Sequence, residues 1–209
     1  MKRWTRVERV GMIILTEEYY MDKHDVIVVT DGDPVACQAV EIAAKDLGLR
    51  VISLSGGHPT KLAGQEIADQ ISKAKSYPVI VFLDDRGDQF QGRGETALID
   101  LMNYPNVNVI GAIAVASEAK LTHGVHVDAS VTMDGQLISN PVDKNGRVIQ
   151  RKKGRLKGDT VDVLDRLDIP VIIGLGDPGK QHHHDDIKRG APLTKLALTE
   201  IIKRSSNHE

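Results

Sequence analysis

The chain has 209 residues, 41% of them hydrophobic, which supplies a packed core and suits one domain better than two. Lys and Arg number 27 against 29 Asp and Glu, and the net charge of -2 gives neither nucleic acid nor an anionic membrane surface a reason to be the main partner. Cys37 is the one cysteine, which excludes a disulfide framework and points to a reducing compartment, and no apolar run approaches the roughly 18 residues of a membrane span.

Residues 1–24 read as an N-terminal extension. Their apolar patch is too short for the core of a secretory leader, and no small-residue cleavage site follows it. A short helix or strand lying on the domain is expected instead. Met21 is a candidate start of translation, because Glu17 and Glu18 can be encoded by GAGGAG, a ribosome-binding sequence just upstream.

From residue 25 apolar strands alternate with amphipathic helices. VIVVT (26–30) leads into a helix over 34–47, with Val35, Ala39, Ile42 and Ala43 at helical spacing and Gly48 as its stop. VISLS (51–55) and the loop GGHPT precede a helix near 61–75, whose Leu62, Ile67, Ala68 and Ile71 form the buried stripe. VIVFL (79–83), a polar loop over 84–94 and a helix over 95–102 follow, and then VIGAIAVA (109–116). VHVDASV (125–131), QLISNPV (136–142) and RVIQ (147–150) are separated by the turn sequences MDG and DKNG, which predicts an inserted antiparallel β-meander at about 125–150. A helix over 159–167 begun by Asp159 and Thr160, the strand PVIIGL (170–175) and a helix over 194–204 close the chain. Apolar runs without alternation are strands covered on both faces. The expected fold is therefore α/β: three layers, a mostly parallel sheet of about five strands with helices on both faces, and the meander inserted in a single domain over 25–209.

In open α/β sheets ligands bind where the carboxyl ends of the strands share an edge. Those ends carry Thr30, Asp31 and Asp33 after the first strand, Asp84 and Asp85 with Asp88 nearby after the third, Ser117 after the fourth, and Asp177 with Lys180 after the fifth. Carboxylates this close repel unless a cation, a shared proton or a lysine compensates them. Asp31, Asp33, Asp84 and Asp85 are accordingly the candidate ligands of a hard cation, Mg²⁺ or Ca²⁺; the bland reading is turns and helix caps. His126 and Asp128 share one strand face and form a weaker metal pair. GLGDPGKQ (174–181) fits G-x-x-x-x-G-K but has Gln181 where a P-loop needs a hydroxyl, and His182, His183 and His184 read as a solvated loop.

Two layouts are comparable. The acids resemble those of the Toprim domain, which has Glu after its first strand where this chain has Asp31. They also resemble the receiver domain of response regulators, with Asp31 and Asp33 as metal acids, Asp84 as phosphoacceptor, Ser117 as the hydroxyl and Lys180 as the lysine. Across the chain from residue 25, the ordered series VVTDGD, SLSGGHPT, VIVFLDDRGDQFQGRGE, VIGAIAVAS, GVHVDASV, GDTVDVLDRLDIPVIIGLGDPGK and DDIKRGAP resembles the stage V sporulation protein AE family of endospore-forming bacteria. That resemblance implies a soluble, cytoplasmic-type protein peripheral to the spore inner membrane, whose partners are other spoVA proteins that move calcium dipicolinate. It implies a non-enzymatic binding or regulatory role and supplies no catalytic residue. The alternative is a Mg²⁺-dependent phosphoryl-transfer or hydrolytic enzyme with Asp84 as the evident nucleophile; no Ser-His-Asp or Cys-His set is visible in the sequence. The edge of the meander is a candidate surface for a homo-oligomer.

Overall fold

A computed structural model describes residues 3–9, 12–18, 23–87, 92–118, 122–150 and 154–207, the first two segments by their backbone alone. Strands β1 (Arg3–Arg9) and β2 (Met12–Glu18) pair as an antiparallel hairpin, so the leading segment is strand.

The centre of the main sheet is β3 (His24–Val29). Its Val26, Ile27, Val28 and Val29 are fully buried, and successive side chains alternate between faces, so both faces need a helical cover. On one side lie β5 (Val79–Phe82) and then β4 (Arg50–Val51); on the other lie β6 (Val107–Val115), β9 (Ile172–Leu175), β7 (Ala129–Val131) and β8 (Leu137–Ile138). Six of these seven strands are parallel, and only β8 runs antiparallel, against β7. The five expected strands are all present, and the two further ones come from the meander, whose first strand extends the sheet by pairing parallel with β9. Among the described residues its remainder is reduced to the short β8 and two isolated bridges, Val142 with Val148 and Val125 with Leu156.

Helices α1 (Pro34–Asp46) and α4 (Pro192–Ser205) cover one face, with Val40, Ala43, Leu198 and Ile201 packed on Ile27, Val29 and Ile113. Helices α2 (Gly64–Ile71) and α3 (Arg93–Asn103) cover the other, with Ile67, Ile71, Leu98 and Leu101 on Val26, Val28 and Val81. The chain leaves β3 over the α1 face to the outer strand β4, returns to β5 over the α2 face, and crosses β3 to β6 through α3 on that same face. Reversing direction and face together keeps each crossover of one hand. None of these helices is long and apolar enough to cross a membrane.

Two expected elements are shorter or absent. VISLS is a strand only at Arg50–Val51; a one-turn 3-10 helix follows at Ser53–Ser55, where the Ser55 hydroxyl accepts from the Phe82 amide at 2.9 Å. The expected helix over 159–167 is a series of turns with one 3-10 turn, Leu164–Arg166. Thr160 sits at φ +58°, which a helix excludes, and Asp162 accepts from the His123 and Gly124 amides instead of capping a helix.

The buried carboxylate of Asp185 fixes the last helix. It accepts from the Leu193 amide (2.7 Å), the Thr194 amide (3.0 Å) and the Thr194 hydroxyl (2.6 Å) at the start of α4, and from the Gly179 amide (2.8 Å) in the loop after β9. Removing one acceptor strands several buried donors at about 1–3 kcal/mol each. Asp185→Ala is expected to lose about 3 kcal/mol or more in urea unfolding, and Asp185→Asn, which keeps one oxygen, distinctly less.

Candidate functional site at the carboxyl edge of the sheet

The chain turns from β3 to the α1 face and from the neighbouring β5 and β6 to the opposite face, so a crevice opens where adjacent connections diverge. It has a volume of about 400 Å³. Thr30, Asp31, Asp33, Asp84, Ser117, Asp177 and Lys180 all line it.

Three carboxylates converge at one end: Asp31, Asp33 and Asp177 each place an oxygen within 4.8 Å of the others. Asp33 opens α1, accepting from the Val35 and Ala36 amides at 2.8 Å each. Lys180 lies across the mouth, its Nζ 2.8 Å from Asp33 Oδ2 and 3.0 Å from Asp177 Oδ1. Burial pushes the Asp31 carboxyl up to about 7, and repulsion from Asp33, Asp84 and Asp177 adds to it against the Asp33 amide that it accepts. For Asp33 burial acts in the same upward sense, but the Lys180 ammonium and the helix amides together hold it below the ordinary range. Burial would depress Lys180, and its two acidic partners outweigh that and hold it above.

Asp84 faces the crevice from the other side and is spent differently. Its Oδ2 accepts from the Gly32 amide at 3.1 Å and lies 2.8 Å from His58 Nδ1, while its Oδ1 accepts from the Arg86 amide at 2.7 Å. Gly32 is required for this closure, because a Cβ there would sit 2.3 Å from the Gly57 carbonyl oxygen. Thr30 is also engaged, its hydroxyl accepting from the Val115 amide at 2.9 Å. Asp85 turns to the start of α3, accepting from the Gly94 amide at 2.6 Å and the Glu95 amide at 3.2 Å, and burial raises its pKa. Asp88 lies outside the described residues. His126 and Asp128 precede β7 and so sit at the amino ends of the strands, away from the crevice; Asp128 accepts from the Ile172 amide at 2.7 Å. The loop after β9 runs from Lys180 into one 3-10 turn, Gln181–His183, and offers no helix to a phosphate.

The sequence model described as stage V sporulation protein AE1 (SpoVAE) matches residues 25–205. The chain belongs to the SpoVAE family. Family membership ties the protein to sporulation, and the β1–β2 hairpin lies before the matched span. No curated protein and no solved structure matches the chain.

Five crevice residues of this SpoVAE member escape a reading of its motifs: His58, Arg86, Glu118, Lys144 and Asp159. His58 was available from position alone, since GGHPT follows the second strand at its carboxyl end. Asp159 was not, because GDT reads as a helix start. In the fold it reaches back to accept from the Gly87 amide, its own amide donates to Ser117 Oγ at 3.0 Å, and burial raises its pKa.

Asp31 sets a pH dependence. The folded chain keeps its proton up to about 7, whereas the unfolded chain releases it near the ordinary carboxyl value of 3.8. Its contribution is therefore complete below about pH 4 and is lost as pH rises to about 7, with a ceiling of roughly 4 kcal/mol. Asp31→Asn has no such loss. In EDTA, urea unfolding should find the variant close to wild type near pH 4 and more stable than wild type at pH 8, by about 1–4 kcal/mol.

Proposed function

We propose that the protein is an accessory binding or regulatory component of the spoVA system that moves calcium dipicolinate, held by other spoVA proteins at the spore inner membrane, and that it binds a divalent cation at the carboxyl edge of its sheet. The observation that carries the cation is the convergence of Asp31, Asp33 and Asp177, drawn from two strand ends into a span of 4.8 Å. Hard cations take oxygen ligands, and Ca²⁺ in particular accepts six to eight of them in flexible geometry, so three carboxylates completed by water suit Ca²⁺ or Mg²⁺. The elevated pKa of Asp31, raised first by burial and then by its acidic neighbours, accords with the same reading, since a cation ligated there would favour the ionised carboxylate. The family supplies the sporulation setting, and the resemblance of its motif series supplies calcium dipicolinate and the membrane partners.

A cation that binds only the folded chain, at about 100 times its dissociation constant, stabilises by roughly 2.7 kcal/mol, which for a chain of this size raises Tm by about 5–10 °C. Millimolar Ca²⁺ or Mg²⁺ should produce that rise in wild type at pH 8. Asp31→Asn and Asp177→Asn should each abolish most of it, although Asp31→Asn starts from a higher cation-free Tm. A wild-type Tm indifferent to both ions, or an undiminished rise in the variants, would remove the cation from the reading.

A further inference from the structure

The pair His58–Asp84 is left unused by a cation held on Asp31, Asp33 and Asp177. Asp84 is 3% exposed and already accepts two backbone amides, so toward the imidazole it also accepts, and the hydrogen lies on His58 Nδ1. In the neutral ring that fixes the tautomer and leaves Nε2 with its lone pair. The imidazole is anything but buried: its side chain is 48% exposed, and it lines the crevice together with Lys180, Lys144 and Ser117. A buried carboxylate that orients an accessible imidazole is the arrangement by which a histidine is prepared to accept a proton from water and return it to a leaving group. Among the described residues the one hydrogen bond of the ring is that to Asp84, so Nε2 is open to the solvent of the crevice.

We infer that this crevice hydrolyses a phosphate ester, with His58 as the general base and Asp84 as its positioning residue. The inference rests on the cation reading, because the acids lining the crevice outnumber its basic groups and an anionic ester needs that added positive charge to enter. The bound cation would supply charge neutralisation. Water held against His58 Nε2 yields a proton to it as the water oxygen forms its bond to phosphorus. The bond from phosphorus to the ester oxygen breaks, and Nε2 passes the proton to that departing oxygen. Ester and water give alcohol and phosphate, and the imidazole is restored. Lys180 and Lys144 also line the crevice, and ammonium groups there would stabilise the charge that develops on the phosphoryl oxygens.

The test uses the full chain with 4-nitrophenyl phosphate and bis(4-nitrophenyl) phosphate, in Mg²⁺, Ca²⁺ or Mn²⁺ and in EDTA, with the Tm shift caused by each ion measured in parallel. Wild type should release nitrophenol from one of the esters only when the ion is present. His58→Ala should lower turnover by about 100-fold or more while the Tm shift persists, and free imidazole should restore part of the lost rate. Asp84→Asn should lower turnover with its Tm shift retained, as a positioning residue requires. A wild type that takes up the ion but turns over neither ester, or His58→Ala as fast as wild type, overturns this inference and leaves the cation reading intact. Loss of turnover in His58→Ala together with loss of the Tm shift, without rescue by imidazole, assigns His58 a structural role and also overturns it. Absence of any Tm shift in wild type overturns both readings.

Discussion

One buried carboxylate, that of Asp84, joins the ends of three strands. Through its side chain it holds the Gly32 amide after β3 and the imidazole of His58 after β4, and its own backbone exchanges hydrogen bonds with Thr60: the Asp84 amide donates to Thr60 Oγ1 at 2.7 Å and the Thr60 amide to the Asp84 carbonyl at 2.8 Å. Loops at the end of a parallel sheet have no ladder of their own to order them. Here a single acceptor buried at 3% exposure stands in for one, and the energetic asymmetry of hydrogen bonding makes the arrangement stiff, because any loop that leaves strands a buried polar group. The crevice is in this sense a by-product of closure: with Gly32 and Gly57 in contact, the side chains on either side can only project into the gap between β3, β5 and β6.

The electrostatics follow from that closure. Asp31, Asp33 and Asp177 are brought together by strand ends that the hydrophobic core has already placed, and the fold answers their repulsion unequally. Asp33 receives helix amides and Lys180 and stays ionised; Asp31 receives one amide, and its burial, with the repulsion added, gives it a raised proton affinity. A cluster of like charges on a rigid scaffold generally resolves itself by such differentiation.

Much of this was legible in the residues. Continuous apolar runs such as VIVVT and VIVFL announced strands buried on both faces, and the rule that parallel strands present one edge then gathered Asp31, Asp33, Asp177 and Lys180 without any structure. What sequence could not resolve was how each acid is spent. Asp84 and Asp85 are neighbours in the chain, yet one faces the crevice and the other caps α3, because successive residues leaving a strand point to opposite sides. The segment 159–167 misled for a related reason: its Asp residues suit a helix start locally, and tertiary partners at Gly87, His123 and Gly124 outbid that preference. The first strand of the meander reads as a hairpin arm, and nothing local says that its other edge will lie parallel to β9.

The sheet that carries the crevice ends on both sides in strands of two residues, Arg50–Val51 and Leu137–Ile138. A strand so short leaves at most a couple of outward-facing amides and carbonyls, too few to template another chain in register. The seven-stranded sheet thus has terminators built into its two margins. Six parallel strands, most of them apolar and slow to pair, would otherwise be a hazard wherever many copies are crowded together, and these blunt ends limit the sheet's capacity to grow from one molecule into the next.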